Sequence, residues 1–145
     1  MIYIAESEFE RQISLLQLVS RLAGPSLFVT WAHLGSKTKS LAGVSVGSGV
    51  HGLRPVTTYG SGTQMAYGPS TEPTSFTDTV ANELLRKKAK VIRCCDSIAL
   101  YRSTDIDWFA CCIHHEKTCL VKDDSLLPQL EACGYSANTK TPSWW

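Results

Sequence analysis

The sequence predicts an α+β fold: one mainly antiparallel sheet, about three helices packed on it, and a long glycine-rich loop over residues 47–73. Three observations carry this prediction. Apolar residues recur at helical spacing from Phe9 to Ala23 and again from Phe76 to Leu85. After residue 90, apolar runs alternate with short polar turns, the pattern of a β-meander. Between these blocks, Gly47, Gly49, Gly52, Gly60, Gly62 and Gly68 alternate with Pro55, Pro69 and Pro73, which neither a helix nor a central strand sustains. Helices and antiparallel strands in separate blocks point to α+β. A parallel α/β sheet ranks second, because strands and helices stop alternating late in the chain.

Met1 to Ala5 reads as a short edge strand. Ser7-Glu8-Phe9-Glu10 has the form of a capping box, with Ser7 as N-cap. The helix that follows carries Phe9, Ile13, Leu16, Val19 and Ala23 on one face, widened by Leu15, Leu18 and Leu22, and Gly24-Pro25 stops it. Ser26 to Leu34 has strand composition, and LAGVSV (41–46) is a second strand candidate. Within the loop, VTTY and TQMAY are candidate short strands around a turn at Gly60-Ser61-Gly62. A loop of this length in a small domain is usually functional.

Ser75 opens the second helix, with Asp78 in the capping position and Phe76, Val80, Ala81, Leu84 and Leu85 on its buried face. VIRCCDSIALYR and DWFACCIHH are then paired strands joined by a turn at Ser103–Asp107, and a turn at Glu116-Lys117 leads into a third strand, CLV. A last helix from Asp124 to about Cys133 has Pro128 in its first turn and Gly134 just past its end. Residues 136–145 form a polar tail ending in Trp144-Trp145.

At 145 residues the chain suits one globular domain spanning 1–145. Hydrophobic residues make up 43% and charged residues 19%, a folding composition rather than a disordered one. Fourteen Lys and Arg balance thirteen Asp and Glu. That balance argues against a nucleic-acid binder, which needs a basic excess to displace counterions from phosphate. The basic run Arg86-Lys87-Lys88 with Lys90 reads as a solvated helix end. The opening MIYIAESEFE lacks a basic n-region followed by an apolar core, and Gln17, Arg21, Gly24 and Pro25 interrupt the most apolar long segment. A cytoplasmic protein without a membrane span is therefore expected. The six cysteines include two adjacent pairs inside apolar runs, so free buried thiols are expected rather than a disulfide framework.

The chemical motifs divide by context. Gly47-Ser48-Gly49-Val50-His51-Gly52 lies within a dinucleotide-like glycine pattern, but Pro55 and β-branched residues prevent the helix that would meet a pyrophosphate. What remains is a glycine-rich backbone with His51 and Arg54 that could cradle an anion, with Tyr59 and Tyr67 as further ligand contacts. His51-Gly52, a downstream Tyr and a late Glu (Glu116) are similar in order to residues of mono-ADP-ribosyltransferases. The short interval from His51 to Tyr59 leaves no room for the helix that family places there.

In a strand, Cys112 and His114 share one face while Cys111 and His115 share the other. Cys112 and His114 are thus the weak candidates for a metal, with Cys94 or Cys95 on the neighbouring strand as a possible third ligand. A Cys–His nucleophilic pair has no spacing that selects it, and no G-x-S-x-G elbow is present. Asp105, Asp107, Asp123 and Asp124 have ordinary turn and capping roles. No cofactor is expected.

Trp144 and Trp145 either fold back into a groove of their own domain or anchor a partner, as tryptophans do at binding hot spots. The expected function is binding of a macromolecular partner, or self-association, through this tail and the loop contacts Tyr59, Met65 and Tyr67. An inhibitor or accessory factor of viral or mobile-element type is one such use. The alternative is a small enzyme or ligand-binding protein for a nucleotide or other phosphate-bearing ligand, with its site in the Gly-rich loop.

Overall fold

The computed structural model describes residues 1–33, 57, 59, 66–69, 74–102, 105 and 107–143. Strand β1 (Ile2–Ala5) leads into helix α1 (Phe9–Ala23) and then strand β2 (Ser26–His33). Strands β3 (Ala66–Pro69) and β4 (Thr74–Ser75) precede helices α2 (Asp78–Arg86) and α3 (Lys88–Cys94). The meander β5 (Cys95–Arg102), β6 (Trp108–Ile113) and β7 (Thr118–Val121) follows. A 3-10 turn at Asp124–Leu126 runs into helix α4 (Leu127–Ala132), and β8 (Ala137–Asn138) completes the described elements. The strands form one sheet in the order β3-β2-β5-β6-β7-β1-β8, with β4 also on β2, and the pairings are antiparallel. This is the expected α+β architecture, with four α-helices among the described residues where about three are predicted.

Strand periodicity divides the core in two. One face of the sheet carries Ile4, Phe28, Ile98, Leu100, Cys112 and Val121, packed against Ile13, Leu16, Leu84 and Leu130 of the helices. The other carries Tyr3, Val29, Trp31, Tyr101, Trp108 and Leu120. The burial is complete at many of these positions, including Ile13, Leu16, Leu84, Ile98 and Leu100. Each such side chain contributes about 1.5–3 kcal/mol relative to exposure. Because β5 and β6 are buried along nearly their whole lengths, they act as the rigid centre on which outer segments are mounted.

Several local expectations are corrected. β1 is not an edge: it lies between β7 and the two-residue β8, which is formed by the segment read as a polar tail. The cap of α1 is not Ser7. Glu8 occupies the N-cap without a side-chain cap, and its N–H donates to Glu6 Oε1 at 3.0 Å. Leu22 lies on the outer side of α1 and is 43% exposed. Ser75 belongs to β4, so α2 is capped by Thr77, whose Oγ1 accepts the Val80 N–H at 3.2 Å. Val91 to Cys94, expected as strand, continue the helical layer as α3, since Val91 and Cys94 fall on one buried helical face. Cys133 is exposed, whereas the other five cysteines are free and buried. His114 and His115 lie in the β6–β7 turn, beyond the strand's end.

Pro128 at the start of α4 and Gly134 with φ +79 after its end are as expected. Thr57 and Tyr59 are not in a strand, and β3 begins within TQMAY and pairs with β2. The LAGVSV strand and the Gly60–Gly62 turn lie outside the described residues. No helix among the described residues is long and apolar enough to cross a membrane.

Candidate functional site

Asp96 is the one carboxylate in an otherwise apolar run that becomes central strand β5, and its side chain is 2% exposed. A buried carboxylate must be matched by hydrogen-bond donors or opposite charge. Two such partners of Asp96 are Tyr59 and His115. Tyr59 donates its hydroxyl to Oδ2 at 2.8 Å, and His115 Nδ1 lies 3.3 Å from Oδ1. The histidine is placed by the tight β6–β7 turn, which Lys117 closes in the left-handed region at φ 54, its N–H donating to the His114 carbonyl. The His114 N–H in turn donates to the Asp96 carbonyl at 3.3 Å, which fixes the turn against β5. On the outer side of the ring, His115 Nε2 lies 3.6 Å from Glu116 Oε1.

The imidazole is therefore held between two carboxylates, one buried and one at the surface. This arrangement orients the ring and favours donors or cations over anions nearby. Burial first, and then the bond to Asp96, hold the Tyr59 phenol well above the usual tyrosine range.

A second group of bonds pins the same segment one residue pair earlier. Trp31 Nε1–H donates to the Tyr101 hydroxyl at 3.0 Å, and that hydroxyl donates to the Thr57 carbonyl at 2.8 Å. The Trp108 N–H donates to Thr57 Oγ1, which donates to Asp107 Oδ1 at 2.9 Å. Tyr59 also packs on the sheet face that carries Trp31, Tyr101 and Trp108. Further along, β3 attaches the Gly-rich segment to the sheet edge beside β2, with Pro69 opposite Trp31. Proline offers no N–H, which suits an edge position. The segment is thus held on the sheet face at 57 and 59 and on the sheet edge at 66–69.

The predicted metal pair is brought together, but around a different centre. Cys112 Sγ donates to the Gln12 carbonyl at 3.6 Å, and His114 Nδ1 lies 2.6 Å from Gln12 Oε1. Gln12 Nε2 donates to the Glu6 carbonyl at 2.8 Å, so its Oε1 is the acceptor and His114 Nδ1 carries the proton. Phe9 closes the group edge-on to the His114 ring, with centroids 5.1 Å apart. Among the described residues, no group of three or more His, Cys, Asp or Glu could hold a metal ion. Burial pushes the Cys95 thiol up to about 12 and those of Cys111 and Cys112 well up, which keeps all three protonated at neutral pH.

Of the predicted ligand residues, Tyr59 is at this cluster and Tyr67 is in β3. His51, Arg54, Met65, Trp144 and Trp145 lie outside the described residues. Asp96 and its pairing with His115 are what reading the sequence missed. The available signal was a single Asp inside VIRCCDSIALYR, where a charge has no place unless something answers it. Comparison with protein-family models, curated proteins and solved structures finds no match to this chain.

Proposed function

We propose that the protein acts by binding a macromolecular partner through the Gly-rich segment 47–73. The observation that supports this reading is the double attachment of that segment, at Thr57 and Tyr59 on the buried sheet face and at β3 on its edge. Recognition residues commonly sit on loops positioned by a rigid scaffold, and β5–β6 is such a scaffold. Tyr67 and Met65 follow the Tyr59 anchor, and Trp144 and Trp145 are further contacts in this reading. The protein would then be an inhibitor or accessory factor of the kind viruses and mobile elements encode, working in the cytoplasm.

The test is affinity capture with the tagged full chain, followed by sizing of the reconstituted complex. Replacing Met65 and Tyr67 with Ala is expected to weaken capture at least tenfold while leaving the melting temperature within about 2 °C. Equal capture by the variant contradicts the reading.

One observation favours a second reading, a small enzyme or ligand-binding protein. His115, oriented by buried Asp96, has the geometry of an acid–base group. Asp96 and Glu116 make that spot unfavourable for phosphate, so a phosphate-bearing ligand would depend on His51 and Arg54. A nucleotide that raises the melting temperature of the wild type and not of the His51→Ala, Arg54→Ala variant would replace the partner-binding reading with this one.

A further inference from the structure

Cys112 and Cys119 face each other directly across β6 and β7. The Lys122 N–H donates to the Phe109 carbonyl at 2.8 Å, which marks Phe109 and Lys122 as a hydrogen-bonded pair. Bonded and non-bonded pairs alternate along an antiparallel ladder. Cys111 and Leu120 are therefore a bonded pair, and Cys112 and Cys119 a non-bonded one. Non-bonded pairs bring Cα atoms to about 4.5 Å, inside the span of about 4.4–6.8 Å that a disulfide bridges. Both side chains belong to the helix-side core cluster. Cys111, one residue away, points to the opposite face with Trp31 and Tyr101.

We infer that Cys112 and Cys119 form an oxidation site that a small hydroperoxide converts to a cross-strand disulfide. One thiol, as thiolate, attacks a peroxide oxygen to give a sulfenic acid and water or alcohol. The second thiol then attacks the sulfenic sulfur, forming the S–S bond and releasing water. The bond joins β6 to β7 just before the turn that carries His115 and Glu116, so oxidation fixes the hairpin that places His115 against Asp96. Full burial of both thiols makes the pair slow to react, slower than exposed Cys133, and burial also holds the Cys112 thiol in its unreactive protonated form.

The test exposes the folded full chain to graded hydrogen peroxide in native buffer, blocks remaining thiols with iodoacetamide under denaturing conditions, and maps the unreduced tryptic peptides. Cleavage after Lys117 separates Cys112 from Cys119, so the link reads as two joined peptides, and fragment ions distinguish Cys111 from Cys112. The expected product is the Cys112–Cys119 link, kept in Cys111→Ala, lost in Cys119→Ala and reversed by dithiothreitol. The inference is overturned if the link runs through Cys111, if it forms only in denaturant, or if both thiols remain alkylatable after Cys133 has been oxidised. The wild-type map decides the matter even where a variant does not fold.

Discussion

Tyr59 joins the glycine-rich segment to the centre of the sheet through one hydroxyl. Its phenol, with an ordinary value of 10.0, is raised by burial and by the Asp96 carboxylate. A raised value in the folded state contributes stability below pH 10 that is lost as pH rises above it. Absorbance titration is expected to show one phenol, absent from Tyr59→Phe, that does not ionise at the ordinary tyrosine pH while the chain is folded. Tyr59→Phe should also cost about 1.5–3 kcal/mol in urea unfolding, the range for a bond to a charged acceptor. Gly24 is a backbone counterpart. At φ 92 and ψ -176 it occupies a region open essentially only to glycine, yet an added Cβ would meet nothing within 4 Å. Gly24→Ala should therefore destabilise by about 1–3 kcal/mol through backbone strain alone, measurable by the same unfolding curves.

At the scale of elements, the two long helices show which sequence signals translate into structure. The apolar stripe of α1 fixed its length and its buried face from Phe9 to Val19. Its start was less legible, because the N-cap Glu8 makes no side-chain cap and its N–H bonds instead to Glu6, whose Oε2 also accepts Arg11 Nε–H at 2.6 Å. That arrangement ties α1 to the end of α4, since Arg11 donates to the Gly134 carbonyl and lies over the Tyr135 ring. No local spacing rule encodes a partner 123 residues away.

The C-terminal turn of α2 behaves as a solvated helix end should. Arg86 first, then Lys87, hold the Glu83 carboxyl down at about 2 from an ordinary 4.5. A lowered carboxylate contributes stability above pH 4.5 that disappears as pH falls toward 2. Glu83→Gln should be slightly less stable than wild type at neutral pH and indistinguishable from it near pH 2. A pH series of urea midpoints reads this directly. Because the group is only partly buried and its partner Arg86 is exposed, salt should shrink the difference.

Across the whole molecule, periodicity made the fold class and the meander legible, since β5, β6 and β7 alternate between two core faces. It did not reveal that β1 is interior, because the strand covering it is only Ala137–Asn138. Neither did it reveal the candidate site. Tyr59 was visible as a loop aromatic and His115 as a strand-end residue, but their meeting at Asp96 joins residues far apart in sequence. Propensity speaks for neighbours in sequence, whereas this cluster is assembled by tertiary packing. The contacts of Tyr59 and Thr57 are also what give the Gly-rich segment its attachment, and hence its proposed role.

The most direct test is amide hydrogen exchange of the full chain with and without its captured partner. Recognition by the Gly-rich segment predicts partner-dependent protection in peptides covering 47–73, with exchange on the outer faces of α1 and α2 unchanged. Protection confined to those helices, or no protection in 47–73 at saturating partner, would contradict it.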